Sequence, residues 1–404
     1  MRTHYRVALL VMLIPAVGGD AFAQERTEQE IVEAIVRDGP RARAIRAASD
    51  VTTFAQAARR VFPNPAASYS REGAGFTEFI QVEQPLPAFG LRSALERAGV
   101  AAREAAEAER DAQLWQLRSD AHDAIARLRA AAQRLESARS LVGLVEGLIT
   151  VLSAREREGE GSRFDRLRAE QELVDAQQTI IAATVVRAEA RSALAAMLPP
   201  DANLPDAVPV RAPPSVIEPI EAVIARGLSS RAELRALNAA ARQFESEADV
   251  ARSAAGFTPV LSGGMKRAGD DFGTRTGAVV GVSVSVPLFN RGTSEAARWT
   301  AELTRAELER AAMAADIRAQ ITRSFEVLAI RRPATATVTA GVSSANELIT
   351  IADVAYREGE IGILQLVDAY RTAARARERA IEATLNLTLS EIALERAVGA
   401  SLWP

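Results

Sequence analysis

Cysteine is absent from this 404-residue chain. That removes disulfides, thiolate metal sites, cysteine nucleophiles and a lipidated N-terminal cysteine. Histidine is nearly absent: His4 and His122 are the whole supply, so a polyhistidine metal centre cannot be built. Aromatic residues make up 5% of the chain against 48% hydrophobic residues, so the apolar content is mostly Ala, Leu, Val and Ile. A large compact core ordinarily draws more heavily on Phe, Tyr and Trp. Neither sign of charge dominates, with 49 basic and 52 acidic residues and a net charge of −3. The basic excess of a general nucleic-acid binder is missing, and no nucleic-acid partner is expected. No GxxxxGK[ST], HExxH or GxSxG segment occurs, and Lys266 is the sole lysine. The chain therefore reads as no enzyme, with no catalytic residue, metal site or cofactor, and any energy source lies in another protein. What remains is an Ala-rich chain with 25% charged residues, a composition suited to long packed helices.

The first 23 residues read as an address. Arg2 and Arg6 precede an apolar run from Val7 to Val17 broken by Pro15, and Ala21-Phe22-Ala23 supplies small residues for cleavage before Gln24. This is the pattern of a secretory signal peptide over 1–23. An N-terminal anchor is the alternative, but the run falls short of the ~20 residues that span a bilayer. No later run reads as a membrane helix, so residence in a membrane would require a closed β-barrel.

The chain repeats itself. Pro85, Leu86 and Gly90 match Pro287, Leu288 and Gly292 at an offset of 202, and Arg157-Glu158-Gly159-Glu160 matches Arg357-Glu358-Gly359-Glu360 at 200. Ala193-Leu194 matches Ala393-Leu394, and Phe62-Pro63 and Phe257-Thr258-Pro259 each precede a strand-like stretch. Four landmarks in one order imply a tandem duplication. The first repeat is expected over 24–214, with a helix, a hairpin at 66–84, a long helical hairpin at 91–198 and a Pro-rich joint. The second is expected over 215–404, with a helix, a hairpin at 260–286 and a long helical hairpin at 293–398.

Leu114, Ala121, Leu128, Leu135, Val142 and Ile149 recur every seven residues, as do Leu117, Ala124, Ala131, Ala138, Val145 and Leu152. This double seam predicts a coiled-coil helix from Leu91 to Arg157, about 100 Å long at 1.5 Å per residue. After Gly159 and Gly161, the series Leu167, Val174, Ile181, Ala188 and Ala195 predicts a returning helix. The second long helix is expected from Thr293 to Arg357, kinked at Pro333, with a turn at Gly359 and Gly362.

Strands are predicted at 66–72, 76–84, 260–268 and 278–286, the last two flanking a polar loop with Asp270 and Asp271. In the last strand Val280, Val282, Val284 and Val286 alternate with Gly281, Ser283 and Ser285. One apolar and one polar face suits a half-buried strand of a soluble sheet or the lipid-facing side of a barrel. Two isolated hairpins cannot protect their own edges, so partners from other copies are expected, with Val280, Val282 and Val284 facing lipid.

Phe62-Pro63-Asn64-Pro65, Gln84-Pro85-Leu86 with Gly90 and Arg92, Val286 to Gly292, and Tyr356 to Arg371 together resemble the TolC family of outer-membrane efflux channels. The two Pro-Leu segments most resemble its heavy-metal, CzcC-like branch. The resemblance implies a mainly α fold with a small β part. Three copies would form a helical barrel and one transmembrane barrel of twelve strands, four per chain. It implies a homotrimer in outer-membrane lipid of a Gram-negative bacterium, with a helical extension into the periplasm. There it would serve as a passive duct, docked on a periplasmic adaptor (membrane-fusion) protein and an inner-membrane efflux pump. Metal cations or small toxic compounds would be its cargo. A periplasmic coiled-coil adaptor, or the same channel serving type I protein secretion, are the alternatives.

In the resembled family the two helical turns form the periplasmic tip, and acids just past them line a constricted mouth. Asp368 and Asp165 fall at such positions, Gln365 stands where an aspartate is frequent, and Arg168 is the first-half counterpart of Asp368. Arg166 and Arg168 are candidate partners of Asp368 in a closed gate. Each acid also suits an ordinary helix start, where it complements the macrodipole. Glu158, Gly159, Ser162, Gly359 and Gly362 are the candidate adaptor contacts, against the plainer reading of two connecting turns. His122, near Asp120 and Asp123, reads as a surface residue of a charged helix face rather than a metal ligand.

Overall fold

The protein is described here by a computed structural model, which covers residues 27–73, 76–204, 218–270 and 272–402. The signal-peptide expectation, most of the Pro-rich joint and Asp271 lie outside the described residues. Helices α1 (Glu28–Asp38) and α2 (Pro40–Ala58) lead into strands β1 (Ala66–Glu72) and β2 (Thr77–Pro85), then α3 (Leu91–Arg157) and α4 (Arg163–Ala195). The same order follows again: α5 (Ile220–Ser230), α6 (Ala232–Ala254), β3 (Thr258–Asp270), β4 (Gly273–Ser285), α7 (Thr293–Glu358) and α8 (Ile363–Val398).

Local chemistry sets the boundaries. Thr27 and Glu30 cap α1 reciprocally, and Gly39 followed by Pro40 at the first helical position separates α1 from α2. The long helix α7 starts beyond Gly292, whose φ is +69° and whose missing Cβ would stand 2.4 Å from the Ala251 carbonyl oxygen. Only glycine satisfies both conditions. The expected kink at Pro333 meets an uninterrupted helix, for α7 runs through that residue as 66 continuous residues.

The helices form a row in which α4 packs on α3, α3 on α8 and α8 on α7, while α6 lies against both α3 and α7. Of the expected seam, Leu117, Ala121, Leu128, Ala131, Leu135, Ala138, Val145 and Leu152 are buried. The heptad expected on α4 is corrected. Leu167, Val174 and Ile181 are exposed, whereas Ala169, Ala176 and Ala183, two residues further on, are buried, as are Glu172 and Leu194. Small side chains let α4 approach α3 closely, and the larger aliphatic stripe points outward. One 18-residue stretch of α3 is apolar enough by length and composition to cross a bilayer, contrary to the expectation of none; α4, α6 and α8 pack along this helix.

The two hairpins are not isolated. They pair through β2 and β3 into one antiparallel sheet of order β1-β2-β3-β4. The second hairpin is also longer than expected. Gly269 pairs with Thr274 and Asp270 with Gly273, so residues read as a polar loop belong to the ladder. Opposed residues share a face. Ala67, Tyr69, Ile80, Val82, Leu261, Met265, Ala278, Val280, Val282 and Val284 thus form one apolar face. Ser68, Ser70, Gln81, Glu83, Ser262, Lys266, Gly281 and Ser283 lie on the other, which is mainly polar but also carries Phe79, Val260 and Val279.

Candidate functional site

Both helical turns lie at one end of the molecule and are built alike. In each, a glycine with φ +79° follows the long helix, at Gly159 and Gly359. Glu160 N–H donates to the Arg155 carbonyl at 3.0 Å, and Glu360 N–H to the Ala355 carbonyl at 2.8 Å. Gly159 and Gly359 likewise donate to the carbonyls of Glu156 and Tyr356. This is the left-handed closure that ends helices on glycine. The returning helices start differently. Ser162 Oγ accepts from Phe164 N–H at 3.2 Å, whereas Gly362 N–H donates to Gln365 Oε1 at 2.9 Å.

A shared core fixes the two turns together. Val145, Leu148 and Leu152 of α3 and Ala169 of α4 pack with Ile349, Ala352 and Tyr356 of α7 and Ile363, Leu366, Val367 and Tyr370 of α8. Arg155 lies over the Tyr356 ring, 5.5 Å from its centroid. Burial and the nearby Asp165 carboxylate raise the Tyr356 hydroxyl above its ordinary pKa. Tyr370 donates to Asp353 at 2.6 Å, and burial together with that bond raises its pKa further.

Asp368 is exposed on α8 one turn before Arg371, whose charge it favours, while Asp165 is half-buried on α4. Gln365 serves as the helix-start acceptor just described. Within the single chain Arg166 is engaged in its own helical hairpin and not with Asp368. Arg166 donates to Glu156 at 2.6 Å and also to Glu170, both in its own helical hairpin. Arg168 is half-buried, and its Nε is enclosed without a hydrogen-bond partner among the described residues. Glu158, Gly159, Gly359, Ser162 and Gly362 are all exposed at the tip.

The sequence reading missed the link between the two hairpins. Arg371 of α8 donates from Nε to Glu172 of α4 at 2.8 Å, and Glu172 is buried. His122 is also corrected. It is 7% exposed and its Nδ1 lies 2.6 Å from Glu28 Oε1, while Arg129 donates to Glu28 Oε2 at 2.9 Å. Asp120 and Asp123 instead face Arg396. Among the described residues, no group of three or more His, Cys, Asp or Glu side chains could hold a metal ion.

A layer of very long helices carrying one small antiparallel sheet, with two glycine turns at the far end, defines a class: the TolC-like fold of outer-membrane efflux channels. Residues 223–400 match the family model "Outer membrane efflux protein". The fold matches CusC with a TM-score of 0.75 at 15% identity, covering 99% of both chains. It matches the open-state MtrE outer-membrane channel of Neisseria gonorrhoeae with a TM-score of 0.74 at 20% identity, over 92% of this chain and 89% of that one. VceC of Vibrio cholerae, an outer-membrane protein, gives 0.71 at 16% identity, over 93% and 97%. No curated protein matches. Together these findings show the fold of these outer-membrane channels, with the family match lying in residues 223–400.

Proposed function

We propose that three copies of this chain form a passive exit duct of the outer membrane. The observation that carries this reading is the sheet. It has an apolar face made by all four strands, a polar face rich in Gly and Ser, and unpaired outer edges on β1 and β4 within the chain. Four strands enclose nothing, whereas three copies would close a twelve-stranded barrel with the apolar face toward lipid. Exposed Phe89 and Phe289, at the helix-side end of the sheet, suit the membrane interface.

The helices support the same multiplication. The outward stripe of Leu167, Val174 and Ile181 on α4 has a counterpart in exposed Leu308, Ile330, Ile351 and Val354 on α7, at the other end of the row. Joining α7 of one copy to α4 of the next would bury both stripes and close a tube. The repeated element order suits a tandem duplication into units 24–214 and 215–404, after a signal peptide at 1–23.

In this reading the tube reaches through the periplasm. Its paired turns meet an adaptor protein around Glu158, Gly159, Ser162, Gly359 and Gly362, and an inner-membrane pump supplies the energy. Asp368, with Asp165 and Gln365 nearby, lines the mouth, and Arg166 and Arg168 brace it. Metal cations or small toxic compounds are the cargo. The test is outer-membrane fractionation of the full chain followed by mass determination in detergent and heat-modifiable gel migration. A trimer is expected; a stable monomer with folded strands would overturn the architecture.

A further inference from the structure

The apolar face of the sheet ends abruptly at one row. Arg71, Glu78, Arg267 and Thr276 stand opposite one another across β1, β2, β3 and β4, one row beyond Tyr69, Ile80, Met265 and Ala278. They share the face of the apolar rows, at the hairpin-tip end farthest from the helices. A charged row there does not line the polar side of the sheet. It borders the band that would meet lipid.

The two arginines converge. Their Cζ atoms lie 4.9 and 5.5 Å from the centroid of the same ring, Phe76. Phe76 lies across Gly269, where an added Cβ would stand 2.8 Å from its ring, so the glycine makes room for the aromatic platform. Each arginine also faces Glu78, but at 3.9 Å, outside hydrogen-bond reach. Tyr69 donates to Glu78 Oε1 at 3.2 Å and holds that carboxylate between them. Both arginine side chains stay more than half exposed, at 62% and 55%. The row thus carries two positive charges against one negative. Its fork-like donors are held over a ring and turned toward the lipid side.

We infer that Arg71 and Arg267 bind the phosphorylated headgroup of an outer-leaflet lipid. Guanidinium groups match phosphate oxygens in geometry and charge. The apolar rows beneath would take the acyl chains of the same molecule, and the Thr276 hydroxyl adds a further polar contact. This inference rests on the barrel reading, because it needs the apolar face to meet lipid.

The test uses the full-length protein in phosphatidylcholine vesicles doped with bisphosphorylated lipid A, with dephosphorylated lipid A and inorganic phosphate as separate arms. The readout is the temperature at which the trimer dissociates on a semi-native gel. Bisphosphorylated lipid A is expected to raise that temperature for the natural chain, and dephosphorylated lipid A to leave it unchanged. The R71Q/R267Q variant should form trimers in phosphatidylcholine yet need at least about tenfold more bisphosphorylated lipid for the same rise, a loss of about 1.4 kcal/mol. Glu78→Gln should need less. An equal response of R71Q/R267Q and the natural chain would overturn the site, and the same rise with inorganic phosphate alone would overturn the lipid assignment. Failure of the natural chain to form a trimer in any vesicle would instead sink the barrel reading itself.

Discussion

Arg371 on α8 donates to the buried Glu172 on α4, joining the two helical hairpins near their turns with a 2.8 Å bond. That bond holds the guanidinium above its ordinary pKa, with Asp175 and Asp368 adding to the effect. Glu172 lies inside while Arg371 is about one-third exposed. Removing the arginine leaves an enclosed carboxylate without its partner, a loss of about 1–3 kcal/mol. We predict that Arg371→Ala loosens the tip and raises the open fraction in planar-bilayer recordings. The double variant R371Q/E172Q should be less destabilised than Arg371→Ala alone. Unchanged gating and unchanged thermal stability would show the bond to be incidental.

Strand orientation gives a second test. Val282 stands opposite Leu261 on the apolar face, and Ser283 opposite Val260 on the other. An arginine at a mid-bilayer, lipid-facing site costs about 2–4 kcal/mol. Val282→Arg should therefore impair trimer assembly more than Ser283→Arg. Equal heat-modifiable migration of the two variants would contradict the assignment of faces.

Much of the frame was legible because its signals are local. The seam from Leu114 to Leu152 defines one side of a helix, and Gly90, Gly159, Gly292 and Gly359 mark ends where positive φ is needed. The errors share a different origin. On α4 the larger aliphatic residues carry the seven-residue period, yet the buried residues of that period are Ala169, Ala176 and Ala183. Hydrophobic size misleads on a helix with two apolar faces. Gly263, Gly264 and Gly269 all lie within β3. In the sheet, a Cβ at Gly264 would stand 2.1 Å from the Ile80 carbonyl oxygen, so close strand approach explains at least one of them. The His122–Glu28 and Arg371–Glu172 pairs join residues 94 and 199 positions apart, and nothing near any of the four announces its partner.

The Glu28 cluster predicts an acid-sensitive N-terminal helix. Burial alone would raise the Glu28 pKa, but hydrogen bonds from His122 and Arg129 hold it below its ordinary 4.5. A carboxylate lowered on folding stabilises the folded state above its unfolded value, and that contribution fades as pH falls through the lower folded value. We therefore predict that thermal stability declines below pH 4.5 through loosening of α1, with a shallower decline in Glu28→Gln. Glu28→Ala should also lower stability at neutral pH by about 1–3 kcal/mol, because His122 and Arg129 lose their acceptor. Identical acid limbs for the natural chain and Glu28→Gln would remove Glu28 as the cause.

The gate is the most exposed prediction. Asp368 is exposed on α8 within the chain, and Arg166 is occupied by Glu156 and Glu170. Arg168 is a better candidate for bracing a neighbouring copy, since its Nε is enclosed and lacks a hydrogen-bond partner among the described residues. Three Asp368 carboxylates around a trimer axis would repel at close range and persist only with cations, water or a nearby base. Such a ring favours cations in the mouth. Asp368→Ala should then reduce cation preference and weaken block by divalent cations. Arg168→Ala should raise the open fraction with little change in selectivity, because it would remove a brace rather than a pore charge. Single-channel recording in planar bilayers reads both quantities separately. If Asp368→Ala leaves conductance, selectivity and divalent block unchanged, Asp368 is an ordinary helix-start residue and the constriction lies elsewhere along the tube.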